Sequence, residues 1–185
     1  MEIMTDLTKI LKYGASVFDF DETVGLSENV IYAYKNGSRI EITSDEFPVV
    51  GKKMKEDGWE FDFTDFNKVT NGSPGPLINK LRNQISKYGN DQIYILTARP
   101  NESQKAIYNF LLSQNIELKL ENIVGLGDST GEAKAKWIQD NLIESGVNDI
   151  YFVDDALSNV QAVKEMFEEY PKGFLINGGK AIITK

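Results

Sequence analysis

Three short apolar runs constrain this chain most, because each breaks off into polar groups suited to chemistry. Residues 15–20 close on Asp19 and Asp21, residues 93–96 on Thr97, and residues 150–153 on Asp154 and Asp155. Runs of this length bounded by turn residues read as buried strands. Between and after them stand segments of helical period: Leu77, Ile78, Leu81 and Ile85; Ile107, Phe110 and Leu111 within 103–114; Ala133, Trp137 and Leu142 within 132–144; and Val160, Val163 and Phe167 within 158–170. Residues 123–126 and 174–176 read as further short strands. This alternation predicts an α/β fold, a Rossmann-like parallel sheet with helices on both faces. In such sheets ligands gather outside the carboxyl ends of the strands, so the three polar endings share one crevice. Gly131 opens a helix that carries Lys134 and Lys136 toward it.

The chain has no histidine and no cysteine. That removes the Ser-His-Asp and Cys-His nucleophiles, the imidazole base and the thiolate or imidazole zinc site. Carboxylates, lysine, hydroxyls and a hard metal ion remain. In a strand, residues i and i+2 project to the same side, so Asp19 and Asp21 can converge on one site. Crowded carboxylates repel unless a cation lies between them, and oxygen-seeking Mg2+ meets that need. Taken alone, two aspartates at a strand end also suit turn or helix-capping roles.

The ordered set of motifs, Phe18-Asp19-Phe20-Asp21-Glu22-Thr23, Thr97, the lysine helix and Asp154-Asp155 with Asn159, resembles the haloacid dehalogenase superfamily. The resemblance covers roughly residues 14–176 and implies a phosphatase working through an aspartyl-phosphate. Under it, Asp19 is the nucleophile, Asp21 the general acid/base, and Thr97 a phosphate-binding hydroxyl. Lys134 or Lys136 is the phosphate-binding lysine, with Lys134 favoured by its place early in the helix. Mg2+ falls to the Asp19 carboxylate, the Asp21 carbonyl and Asp155, while Asp154 braces the site or meets the ion through water and Asn159 supports it. Arg99 assists phosphate binding or packs around Pro100. Asp128 and Ser129 are site-loop or plain turn residues. Glu22 stands where many members have glycine.

The residues between the first two motifs form an insert, 24–75, in the place of a flap or small cap. Asn36-Gly37 between two strand-like runs is a strong hairpin signal. A two-residue turn there pairs Ala33 with Ile40, Ile31 with Ile42, Tyr34 with Arg39 and Tyr32 with Glu41, giving one apolar face and one aromatic, charged face. Residues 59–64 alternate in the same sense and suggest another strand. Tyr32, Tyr34, Trp59, Phe61 and Phe63 either line a substrate pocket or form the insert's own minor core. Arg39 either recognises a second anionic group or pairs with Glu41 and a tyrosine.

With 185 residues, 41% of them hydrophobic and 26% charged, the chain suits a single domain with a sizeable core. No apolar run approaches a membrane span. Residues 1–13 lack a signal peptide's basic start, so the expected location is cytoplasmic. A formal charge of −8 disfavours a nonspecific nucleic-acid binder. Lys52, Lys53 and Lys55 form a local basic cluster on a helix or loop face. The expected partner is a small phosphorylated metabolite or nucleotide. A turnover-free protein of the same fold and a nucleic-acid 3′-end phosphatase stand as alternatives. Oligomeric state is left open.

Overall fold

The computed structural model describes residues 13–170 and the backbone of 175–180; the N-terminal segment considered above, up to residue 12, and Phe174 lie outside them. Strand β1 (Gly14–Phe18) leads into the insert, which holds β2 (Gly25–Leu26), β3 (Val30–Lys35), β4 (Ser38–Thr43), helix α1 (Phe47–Glu56), β5 (Glu60–Asp62), a 3-10 turn (Thr64–Asn67) and β6 (Ser73–Pro74). The chain then alternates regularly: α2 (Ile78–Tyr88), β7 (Ile93–Thr97), α3 (Gln104–Ser113), β8 (Ile123–Gly125), α4 (Gly131–Ile138), β9 (Asp149–Asp154), α5 (Leu157–Glu168) and β10 (Leu175–Lys180). Helix α4 continues as a π-helical turn over Gln139–Ile143, which completes the helical stretch expected to residue 144.

Among the described residues the main sheet has five parallel strands in the order β10-β9-β1-β7-β8. Period-two alternation divides its side chains between two cores. On one face Phe18, Ile93 and Ile95 pack with Ile78 and Leu81 of α2 and Ile107, Phe110 and Leu111 of α3. On the other, Ala15, Val17, Leu96, Ile150 and Phe152 pack with Ala135 and Ile138 of α4 and Val163 and Phe167 of α5. Fully burying one such side chain stabilises the fold by roughly 1.5–3 kcal/mol, so these two stripes dominate its energetics. The result is the expected three-layer α/β architecture. Strand β1 is followed in space by β7 on one side and, much later in sequence, by β9 on the other. Its carboxyl end therefore lies at the point where the winding reverses, which is where such sheets open a crevice.

The insert is a small three-stranded antiparallel sheet, β4-β3-β5, with α1 packed against it. Asn36 and Gly37 both take positive φ, 50° and 79°, as a primed two-residue turn requires. The hairpin register is the one the alternation predicts: Ala33 opposite Ile40, Ile31 opposite Ile42, Tyr34 opposite Arg39 and Tyr32 opposite Glu41. Ile31, Ala33 and Ile42 are buried, whereas Ile40 on the outer strand is exposed. Residues 59–64 pair only over Glu60–Asp62, because Asp62 Oδ1 accepts from the Thr64 amide at 2.8 Å and turns the chain into the 3-10 segment. Helix α1 is announced by local chemistry rather than by strand pattern. Pro48 occupies its first turn, where no amide donor is needed, and Gly58 at φ 85° follows its end. It carries Lys52, Lys53 and Lys55 on its exposed face.

Candidate active site

Asp19 is the residue immediately after β1, and its amide donates to the Val153 carbonyl of β9 at 2.9 Å. Since Phe18 pairs with Val153, continuing that register sets Asp19 level with Asp154. Both carboxylates are buried, and the Lys134 ammonium lies between them. Its Nζ donates to Asp19 Oδ1 at 2.6 Å and to Asp154 Oδ2 at 2.5 Å. Lys134 itself is 1% exposed. Lys136, two residues on, points to solvent and pairs with Asp140 one helical turn later. Of the two lysines, Lys134 alone reaches the crevice, and Lys136 lies outside it.

Local packing explains why Lys134 arrives there. Thr130 caps α4 by accepting from the Ala133 amide, and Asp128 braces Thr130 through its amide and hydroxyl. These bonds also hold the Asp128 carboxyl below the usual range, so Asp128 serves as a turn residue. Gly131 is pressed against α5: a Cβ there would meet Ala162 Cβ at 2.8 Å and the Ser158 carbonyl at 2.9 Å. This close approach brings the first turn of α4 beside Asn159. Asn159 Nδ2 donates to both oxygens of Asp154, at 3.0 and 3.1 Å, and the Ala156 amide donates to Asp154 Oδ1 at 2.9 Å.

Burial raises the Asp19 carboxyl well above the usual range, opposed by Lys134 and reinforced by Asp154, Asp155 and Asp21. Burial also works against the Lys134 charge, but Asp19 and Asp154 together outweigh it and hold the ammonium above its ordinary value. Asp155 is pushed up to about 6, first by burial and then by its neighbour Asp154. Carboxylate oxygens of Asp19, Asp154 and Asp155 lie within 4.8 Å of one another. This all-oxygen set suits a hard divalent cation such as Mg2+. Asp154 already accepts from Lys134, Ala156 and Asn159, so Asp19 and Asp155 are the better placed to offer oxygens to an ion. Asp19 and Asp155 stay raised despite the Lys134 ammonium, and such an ion would relieve that crowding.

Asp21 is not a partner of Lys134. Arg99 grips it with a fork: Nε donates to Oδ2 at 2.8 Å and Nη2 to Oδ1 at 2.7 Å. The remaining Arg99 donors go to the Phe66 and Lys68 carbonyls, the Ser27 hydroxyl and Asn29 Oδ1. With its N–H groups so engaged, Arg99 is not disposed to bind phosphate, and its place is between Asp21 and the insert. Thr97 is buried at the end of β7, the strand next to β1, and its Oγ1 accepts from the Arg99 amide at 3.2 Å. Glu22 takes a φ of 55°, the left-handed region that glycine enters freely.

Sequence reasoning missed Ser27, Asn29, Asp65 and Phe66 as contributors to the site's frame. Each is an ordinary polar or aromatic residue in a segment without a motif, and no spacing singles it out. Among the insert's aromatics, Trp59 and Phe61 pack into the insert's own core, and Phe47 meets Phe61 and Phe63 edge to face. Arg39 stacks 4.9 Å from the Tyr32 ring centroid and pairs with Glu41 at 3.5 Å. No helix among the described residues is long and apolar enough to cross a membrane. Compared with known proteins, the chain matches no family model, no curated protein and no solved structure.

Proposed function

We propose that this protein is a Mg2+-dependent phosphomonoester hydrolase of the haloacid dehalogenase type, acting through an aspartyl-phosphate on a small phosphorylated metabolite or nucleotide. The observation that carries the reading is the buried Lys134 ammonium shared by Asp19 and Asp154, with Asp155 beside them, at the reversal point of a parallel sheet. A phosphomonoester dianion meets repulsion from an attacking carboxylate, so the site must supply positive charge and donors to the phosphoryl oxygens. Lys134 and the Thr97 hydroxyl do so from the protein. Asp19, Asp155 and the Asp21 backbone carbonyl would hold Mg2+, which adds positive charge at the same place.

In this reading an Asp19 oxygen attacks phosphorus in line, the P–O bond to the leaving group breaks, and Asp21 donates a proton to the departing oxygen. Asp21 then removes a proton from water as the acyl-phosphate is hydrolysed, which returns both carboxyls to their starting states. Asp154, held by Asn159 and Ala156, fixes the ammonium.

The test is a panel of alkyl and aryl phosphomonoesters, nucleoside monophosphates and a 3′-phosphorylated oligonucleotide, assayed with Mg2+ and with chelator. Asp19→Asn should abolish turnover while leaving the fold intact. Mass spectrometry of a quenched wild-type reaction should find phosphate on the Asp19 peptide. Turnover retained by Asp19→Asn removes the nucleophile assignment, and no Mg2+-dependent hydrolysis across the panel rejects the function.

A further inference from the structure

Arg99 is 3% exposed and lies where the main core meets the insert core. Its guanidinium carbon is 5.1 Å from the ring centroid of Phe20, a main-core residue, and 4.8 Å from that of Phe66, an insert-core residue. On the insert side it donates to the carbonyls of Phe66 and Lys68 at 3.2 and 2.6 Å. It also reaches Asn29 Oδ1, and Asn29 Nδ2 in turn donates to the Asp65 carbonyl, Asp65 Oδ2 and Thr70 Oγ1. On the other side it holds both oxygens of Asp21. One planar fork therefore joins a carboxylate just beyond β1 to a folded-back segment of the insert.

We propose that Arg99 is a positioning residue that makes the orientation of Asp21 depend on the docking of the insert; its catalytic consequence rests on the phosphatase reading above. A guanidinium is rigid, so its plane cannot satisfy the insert carbonyls and the Asp21 oxygens independently. The fork engages one lone-pair site on each Asp21 oxygen and leaves the others for a proton. When the insert is seated, the fork holds the carboxyl in one direction. When the insert lifts, Arg99 loses its acceptors and the Phe66 ring, and Asp21 loses its fixed direction. Proton transfer to a leaving group depends steeply on that direction. Docking of the insert is thereby tied to competence for chemistry.

Three variants test this: Arg99→Gln, Arg99→Lys and Asn29→Ala, the last acting only from the insert side. Rates are measured on an alkyl phosphomonoester, whose leaving group needs a proton, and on nitrophenyl phosphate, which does not. Hydrogen exchange of the amides of Val30, Phe66 and Thr70 is followed in the same samples. Arg99→Gln is expected to lower the alkyl-to-nitrophenyl ratio of kcat by roughly tenfold or more, within the range of a general-acid contribution, with KM nearly constant. Asn29→Ala should lower the ratio in the same sense, and both should lose protection at the insert amides. Arg99→Lys keeps the charge but not the fork and should not restore the ratio. Equal losses on both substrates together with a lower Tm assign Arg99 a merely structural role and overturn the proposal. A wild-type ratio in Arg99→Lys or Asn29→Ala overturns it as well. If the wild type hydrolyses neither substrate, the phosphatase reading fails by itself. Exchange then still decides the docking: unchanged protection in Arg99→Gln rejects it, and lost protection supports it.

Discussion

Replacing Lys134 by Met tests the centre of the site without needing a substrate. Lys134 Nζ lies 2.6 Å from Asp19 and 2.5 Å from Asp154, and all three side chains are almost wholly buried. Met matches much of the lysine's length and apolar stem, so the substitution removes the charge with little loss of volume. Removing one partner of a buried ion pair costs about 3–5 kcal/mol, because the other charge is left in a medium that solvates it poorly. Here Asp154 retains Asn159 and the Ala156 amide, whereas Asp19 loses its counter-charge. For a chain of this size each kcal/mol moves Tm by about 2–4 °C, so the expected drop is about 6–20 °C at pH 8 in chelator. The drop should shrink toward pH 5. Burial already raises Asp19, and without Lys134 its folded carboxyl binds a proton still more readily than the unfolded one. Its penalty is full above the folded-state pKa and vanishes below the unfolded value, so protonation on acidification offsets the lost lysine. Lys136→Met, at an exposed pair, is the control and should leave Tm unchanged. Thermal unfolding at pH 5, 6.5 and 8 makes the comparison. A Lys134→Met Tm within 2 °C of the wild type at pH 8, roughly the shift of a single weak interaction, would mean that the Lys134 charge does not hold Asp19 and Asp154 together.

Other outcomes follow from the same geometry. Asp155 is raised to about 6 by burial and Asp154, so its contribution to stability is present below about pH 4 and is lost as pH rises through about 6. Asp155→Asn should therefore melt above the wild type at pH 7.5 in chelator and together with it at pH 4; equal melting at both pH values would remove Asp155 from the buried cluster. Mg2+ should raise the wild-type Tm by mass action, and Asp155→Ala should weaken that rise more than Asp154→Ala relative to each variant's own Tm; the reverse order assigns the ligand to Asp154. Gly131→Ala should destabilise by about 1–3 kcal/mol, measured by urea unfolding, because the added methyl group meets Ala162 and the Ser158 carbonyl below 3.0 Å. Trp59→Ala should lower Tm and affect all substrates alike, since Trp59 packs in the insert core; a changed substrate ranking at constant Tm would place it in the pocket instead.

Local pattern controls the hairpin and the central strands. The alternation of Ile31, Ala33, Ile40 and Ile42 around Asn36-Gly37 settles the hairpin register, because a one-residue slip would expose the whole apolar face. The apolar runs settle the central strands, and their polar ends place Asp19, Thr97 and Asp154 at one edge of the sheet. Other choices were beyond local pattern. Lys134 and Lys136 differ by about 200° around a helix, and a place early in α4 favours Lys134 without fixing which side faces the crevice. The seat of Gly131 against α5 decides it. Arg99 reads in sequence as a cation beside a phosphate-binding hydroxyl, yet its acceptors include Asp21, 78 residues away, and Phe66, 33 residues away. A guanidinium carries five donors and no preference for near neighbours in the chain. Which acceptors it finds depends on which segments the folded cores bring together, and that closure is a property of the tertiary structure alone.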